Sequence, residues 1–268
     1  MAAPRSAPEV YATGALPEGF VPVACRFVAT RFTRRREHSA DDAFSDIPLP
    51  SALERATWRR QVEFLAGRHC AREALFALTG RSECPAVGVE RDPIWPTHVV
   101  GAISHCRGQA AALVGPQECY RGLGLDLERP FSASQSEDLA PLVLTPSERE
   151  RGCDKARPFF VTLSFSAKES LFKALFPLVR RRFDFTAAEL VEWDLRGSAV
   201  LRLRIDLGGE WRPGTRFHLR HCRFKGLLLT RVAIPSSRVL QQSRNALHEP
   251  GQTISHTERT HRKGYHHD

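Results

Sequence analysis

The sequence predicts an α+β fold made of two strand-and-helix units. Three observations point to it. Segments alternating apolar and polar residues, such as Gly122–Glu128, have the period of a half-buried strand. Longer stretches, such as Ser51 to Thr79, carry apolar residues at helical spacing. Strand and helix patterns of similar size recur in both halves of the 268 residues, without a sequence repeat.

Residues 1–20 are rich in Pro, Ala and Gly and are expected to be loose. Val21, Val23, Cys25 and Phe27 alternate and predict a first strand within 21–33. Thr33 to Pro50 is charged and turn-rich, and Arg34-Arg35-Arg36 reads as a solvated run. Ser51 to Thr79 is a long amphipathic helix; a break would fall near Gly67, and Gly80 stops it. Arg60 and Arg68 are eight positions apart, hence about 80° apart around that helix, and on their own read as surface arginines. Val99 to Ile103 and Gln109 to Val114 predict two strands joined by a turn with Arg107-Gly108. Ser104 and His105 sit at the end of the first.

In Gly122–Glu128, leucines 123, 125 and 127 face one side and Asp126 and Glu128 the other. The two acidic Cα atoms are then roughly 6.5–7 Å apart. Like charges so placed are screened by water or bridged by a cation; an exposed acidic strand face is the plain alternative. After Pro130 a Ser-rich polar linker, Phe131 to Asp138, marks the expected boundary between subdomains 1–130 and 131–235.

A short helix is expected over Thr145 to Gly152. A second begins at Ser166, where Ser166 and Glu169 fit a capping box. Phe172, Leu175 and Phe176 give its apolar stripe and Pro177 its end. Glu169 and Lys173 lie at i, i+4, which by itself is an ordinary helix pair. The chain has 34 Arg and 5 Lys, yet two of the lysines, Lys168 and Lys173, fall in this helix. Lys offers a compact charge and an exchangeable proton where Arg does not. Strands follow near Val200–Leu207, Thr215–Arg220 and Gly226–Ile234, and the polar, aperiodic residues 236–268 are expected to be a disordered tail.

The composition, 42% hydrophobic and 26% charged, is that of a soluble globular protein. No run approaches the roughly 18–20 apolar residues of a membrane span. The N-terminus lacks the apolar core of a signal peptide, so a cytoplasmic location is expected. Seven cysteines, an odd number, fit a reducing compartment. The His-Cys pairs at 69–70, 105–106 and 221–222 lack zinc-ligand spacing. A net charge of +9 calls for an acidic partner. Nucleic acid is the default for such a chain, but no nucleic-acid motif is present.

Four segments together resemble a known family. Gly124-x-Asp126-x-Glu128 and Phe165-x-x-Lys168-Glu169-x-x-x-Lys173 resemble the signature of the 4′-phosphopantetheinyl transferases. Trp95-Pro96 leading to Gly101-Ala-Ile-Ser104-His105-Cys106 resembles that family's central Ser/Thr-His segment. Glu63 to Leu75 resembles the upstream helix of the siderophore-synthase subgroup, the enterobactin synthase component D type. The resemblance runs from about Arg60 to about Phe185; Phe165 stands where many members carry Trp.

The resemblance implies a pseudo-twofold α+β fold of two similar subdomains. It implies transfer of the 4′-phosphopantetheine arm of coenzyme A to a serine of an apo acyl or peptidyl carrier protein, releasing 3′,5′-ADP. Siderophore, nonribosomal peptide or polyketide biosynthesis is the implied setting, and a monomer is expected. Phosphoryl chemistry needs charge neutralisation, for which Mg²⁺, or Mn²⁺, is suited. Asp126, Glu128 and Glu169 are its implied ligands, and Glu169 is also a candidate base. Lys173 is implied to steady the leaving phosphate. Lys168, Ser104, His105, Arg60, Arg68 and Arg91 are implied coenzyme A contacts. Arg180-Arg181-Arg182 is a candidate docking run for the carrier's acidic helix, or an ordinary solvated turn. Outside the family, the alternatives are a metal-dependent phosphodiesterase or nuclease and a non-catalytic basic nucleic-acid-binding protein.

Overall fold

Two long helices, each laid on its own antiparallel sheet, frame the molecule. The computed structural model describes residues 10–11, 16–33, 44–151 and 157–237. The Arg34–Arg36 run, most of residues 1–15 and the expected tail from residue 238 onward lie outside the described residues.

The first unit contains strands β1 (Val10–Tyr11) and β2 (Arg26–Arg31), and helices α1 (Ser51–Glu54) and α2 (Trp58–Thr79). It continues with the small hairpin β3 (Ala86–Val87) and β4 (Pro93–Ile94), then β5 (Val99–Cys106) and β6 (Gln109–Pro116). Its main sheet has the order β1-β2-β6-β5. The Arg107-Gly108 turn between β5 and β6 takes positive φ at both residues, 47° and 81°, which suits the twist of a tight hairpin. Helix α2 starts at Thr57, whose hydroxyl accepts from the Arg60 N–H, and ends at Gly80 with φ 75°. It runs unbroken through Gly67. That glycine lets α2 close on β5, since a Cβ there would stand 2.8 Å from the Ile103 side chain. The expected single helix is instead interrupted at residues 55–57, before α2.

The second unit contains β7 (Tyr120–Glu128), α3 (Ala133–Val143), α4 (Pro146–Arg151) and α5 (Arg157–Val179). A 3-10 turn, Phe185–Ala187, then leads into β8 (Ala188–Trp193), β9 (Ser198–Leu203), β10 (Arg216–Phe224) and β11 (Leu227–Pro235). Its sheet order is β7-β11-β10-β9-β8. Strand β7 is therefore hydrogen-bonded into the second sheet. The unit boundary falls before β7, near 116–120, and not at Pro130 as the sequence suggested. The expected Ser-rich linker is helix α3, which Ser132 and Gln135 open with a reciprocal capping box.

The capping box expected at Ser166 and Glu169 is absent. Helix α5 begins nine residues upstream of Ser166 and continues past Pro177 to Val179. Pro177 lies in the last turn, so it forfeits one i→i−4 bond and only the final residues follow it. Ser166 is a helix-interior residue with no exposed surface.

Three apolar clusters hold the layers together. Val62, Ala66, Cys70 and Leu75 of α2 pack with Val28, Ala110, Ala112 and Val114 of the first sheet. Leu163, Ala167, Leu171 and Leu175 of α5 pack with Leu190, Leu201, Leu219 and Val232 of the second. Between the sheets, Leu123, Leu125 and Leu127 of β7 cluster with Phe27, Ala29, Ala111 and Leu113. The layer order is thus α2, first sheet, second sheet, α5. Among the described residues, no helix is long and apolar enough to cross a membrane.

Candidate active site

The acidic strand face is not open to water, as the sequence had allowed; helix α5 lies on it. Two glycines make that possible. A Cβ on Gly124 would stand 1.8 Å from the Ser170 carbonyl oxygen, and one on Gly122 2.3 Å from that of Ala174. No side chain larger than hydrogen fits between β7 and α5 there. The strand-helix contact then encloses Asp126, which is 6% exposed. Its Oδ1 accepts from Ser104 Oγ at 3.0 Å and Lys173 Nζ at 2.7 Å, and its Oδ2 from Ser166 Oγ at 2.8 Å. Lys173 also donates to the Leu125 carbonyl at 3.0 Å.

Glu128 and Glu169 are less enclosed. Glu128 Oε1 accepts from the Arg129 N–H at 2.7 Å and lies 3.7 Å from Cys106 Sγ. Burial pushes the Glu128 carboxyl above its ordinary range, with the Asp126 charge adding to the shift. Burial does the same to Glu169, partly offset by Lys173 and reinforced by Asp126. Among the described residues, no three His, Cys, Asp or Glu side chains form a ready cage for a metal ion. The donor chemistry still suits a hard cation. All three groups are carboxylates, and two of them are disfavoured as anions through burial and the third.

On β5, neighbouring residues point to opposite faces. Ser104 turns toward β7, where it also accepts from the Leu127 N–H at 3.0 Å. Its hydroxyl is committed to Asp126 and so stands away from the phosphate role that the resemblance implied. His105 turns toward α2. Arg60 donates to His105 Nε2 at 3.0 Å, and Glu63 Oε2 lies 3.8 Å from Nδ1. Burial lowers the His105 pKa, Glu63 opposing the shift and Arg60 adding to it. An imidazole that accepts at Nε2 carries its proton on Nδ1, facing Glu63. His105, Glu128, Arg59, Arg107 and Arg129 line a cleft of about 300 Å³.

The remaining expected contacts are placed elsewhere. Lys168 is 3% exposed, and its ammonium donates to Glu148 Oε2 and the Val143 carbonyl, each at 2.7 Å. It closes an internal ion pair and does not reach the Asp126 cluster. Arg68, 5% exposed, donates to the Pro85 and Ala86 carbonyls and lies over the Phe64 ring. It anchors the β3-β4 hairpin to α2. Arg91 is at the exposed tip of that hairpin with φ 65°. Arg180 pairs with Asp92 at 2.8 Å and Arg182 with Glu90, so the arginine run straps the same hairpin to the end of α5.

A second cleft, of about 620 Å³, is lined by Lys168, Glu169, Phe172, Arg182, Phe183, Asp184 and Phe185. The sequence reading missed Glu63, Ser166 and Glu148. Glu148 had a legible signal: Thr145 and Glu148 form a reciprocal capping box. Glu63 had a weaker one, its i, i+4 spacing from Arg59.

Residues 49–115 match the 4′-phosphopantetheinyl transferase N-terminal domain, and residues 122–220 match the 4′-phosphopantetheinyl transferase superfamily. The gap between the two matches falls at the sheet boundary. The chain belongs to the 4′-phosphopantetheinyl transferase superfamily and is an enzyme of that class. Enterobactin synthase component D of Escherichia coli O157:H7 is 38% identical over 179 residues, covering 66% of this chain and 84% of the relative. The 4′-phosphopantetheinyl transferase PptT of Mycobacterium tuberculosis is 34% identical over 203 residues, covering 70% and 86%. Among solved structures, holo-[acyl-carrier-protein] synthase of Thermotoga maritima aligns at 25% identity and a TM-score of 0.33, covering 42% of this chain and 61% of that one. Family membership displaces the nuclease and nucleic-acid-binding alternatives.

Proposed function

We propose that the chain moves the 4′-phosphopantetheine arm of coenzyme A onto a serine of an apo acyl or peptidyl carrier protein, in a Mg²⁺-dependent reaction that releases 3′,5′-ADP. The observation that carries this reading is the position of the acidic cluster. Glu128 and His105 line an arginine-rich cleft, and Glu169 lines one walled by three Phe with Lys168, Arg182 and Asp184 at their side. Coenzyme A has the matching halves, a polyanionic nucleotide and a neutral pantetheine arm. Arg60 and His105 are the groups assigned to the nucleotide phosphates, and Phe172, Phe183 and Phe185 the wall assigned to the arm.

Asp126, Glu128 and Glu169 would hold the divalent cation, which when bound supplies charge neutralisation at the pyrophosphate. Glu169 is assigned as the base for the carrier serine. A carboxyl raised by burial is better matched to proton transfer near neutral pH than an ordinary one. Lys173, a donor beside Asp126, is assigned to the phosphate side of the bond that breaks. The kinship with enterobactin synthase component D supports siderophore-type peptidyl carriers as acceptors.

The test is incubation with coenzyme A, Mg²⁺ and an apo carrier domain, followed by intact-mass measurement. The carrier should gain the mass of one phosphopantetheine arm, EDTA should stop the gain, and Mg²⁺ or Mn²⁺ should restore it. A carrier that stays apo with every carrier class tried overturns the reading.

A further inference from the structure

The mechanism above leaves three buried hydroxyls unused: Ser166 and Ser170 on α5 and Thr230 on β11. All three have no exposed surface. Thr230 stands directly opposite Asp126 in the β7-β11 register. Ser166 Oγ lies 2.8 Å from Asp126 Oδ2 and 2.9 Å from Thr230 Oγ1. Thr230 Oγ1 lies 2.8 Å from Ser170 Oγ and 2.9 Å from the Ser166 carbonyl.

Proton accounting fixes the link to Asp126. A carboxylate only accepts, so Ser166 must donate to Asp126 Oδ2. The Ser166 oxygen is then free to accept, and Thr230 can donate to it or to the Ser166 carbonyl. Ser170 can donate to Thr230 Oγ1 or to the Thr230 carbonyl, 3.1 Å away. On the other oxygen of Asp126, the Ser104 hydroxyl already accepts from the Leu127 N–H and so gives its proton to Oδ1. Hydroxyls aligned head to tail in a dry interior polarise one another.

We infer that Ser166, with Thr230 behind it, is a positioning residue that fixes the rotamer of Asp126 for cation binding. The Ser166 hydroxyl holds Oδ2, while Oδ1 is shared by Ser104 and Lys173, so each carboxylate oxygen has a fixed donor. A mid-helix serine in contact with a strand carboxylate is otherwise a poor choice. It competes with the helix backbone and leaves a polar group to be satisfied in the core. The inference rests on the reading that Asp126 holds a divalent cation.

The test measures Mn²⁺ binding by electron paramagnetic resonance, with coenzyme A present and no carrier protein, so that turnover plays no part. The parent should bind, and Asp126→Asn should not; a parent that fails to bind removes the cation reading itself. Ser166→Ala should weaken Mn²⁺ binding about ten- to hundred-fold, the size of one hydrogen bond to a charged group. Thr230→Val, which keeps the shape and removes the hydroxyl, should weaken it in the same direction by less. Thr230→Ser, which keeps the hydroxyl, should bind as the parent does. Parent-like Mn²⁺ affinity in a folded Ser166→Ala protein overturns the inference while leaving the cation reading intact. Equal losses in Thr230→Val and Thr230→Ser overturn it as well, since packing and not the hydroxyl would then be the cause. If Ser166→Ala and Thr230→Val both fail to fold, the chain is a folding element and the positioning role falls.

Discussion

The ammonium of Lys173 lies 2.7 Å from Oδ1 of Asp126, joining the C-terminal third of helix α5 to the end of strand β7. Asp126 is almost wholly enclosed, and Lys173 keeps a quarter of its side chain exposed. The pair therefore belongs to the core on one side and to the cleft on the other.

That placement separates the two acids of the strand. Asp126→Ala leaves Ser104, Ser166 and Lys173 without their acceptor, and should cost about 2–4 kcal/mol of stability as well as transfer activity. Glu128→Ala removes a half-buried group with one backbone partner and should lose activity while melting close to the parent. Denaturant titration beside a transfer assay checks both. Equal stability of the two variants would contradict the burial difference.

Glu169 and Glu128 set a pH signature. Their folded pKa values are raised above the ordinary 4.5. Between that value and the raised one the folded state binds more protons than the unfolded, so stability falls as pH rises through the window. At pH 7 both Glu169→Gln and Glu128→Gln should melt above the parent, and the gap should close on acidification below the ordinary carboxylate range. Melting curves from pH 4 to 7 read the effect. Transfer by Glu169→Gln should be lost throughout.

The Lys168–Glu148 pair predicts a stability defect in place of a substrate defect. Glu148, with no exposed surface, also accepts from the Thr145 and Leu190 N–H groups. Lys168→Met strands that charge and should destabilise the fold by about 3–5 kcal/mol. KM for coenzyme A, measured where the variant is folded, should stay near the parent value. A large rise in KM with unchanged stability would return Lys168 to the phosphate site.

Gly124→Ala should be among the most damaging small changes in the chain. Its Cβ would meet the Ser170 carbonyl and the Ala174 nitrogen, and backbone cannot step aside as a side chain can. The helix must lift off the strand, costing about 3 kcal/mol or more. Circular dichroism melts would show it.

The arginine run bears on docking. Replacing Arg180, Arg181 and Arg182 by Gln should raise KM for an acidic carrier and flatten its salt dependence. The pairs with Asp92 and Glu90 already neutralise two of the three charges, so a change of only a few-fold is expected. An unaltered carrier KM and salt slope would leave the run as a strap for the hairpin alone.

Much of this arrangement was legible in the sequence because it is local. The alternation of Leu123, Leu125 and Leu127, the Gly80 stop and the Arg107-Gly108 turn each depend on a few neighbouring residues. The losses lie where a distant partner decides. Ser166 looks like a helix cap until Asp126 and Thr230, 40 and 64 positions away, claim its hydroxyl. The glycines of β7 look like weak strand residues until α5 is laid on them. Strand β8 went unread because Glu189 breaks its apolar pattern; that carboxylate is 3% exposed and satisfied by Ser147, Arg151 and Arg202. Helix α3 was missed for a different reason. Its capping box, Ser132 to Gln135, was in plain view but sat among serines that suggested a linker.

Strands β5 and β7 are the edges of different sheets and run side by side without a shared ladder. Ser104 spans that seam with one hydroxyl, bonded at once to the β7 backbone and to Asp126. Parting the halves thus strips Asp126 of one of its three side-chain donors. A substrate or ion that locks Asp126 also bolts the two units together. By reciprocity, any force that pries them apart loosens the grip on that ligand by the same free energy. Affinity in this fold can consequently be tuned from far outside the clefts, by residues whose only effect is on how easily the seam breathes.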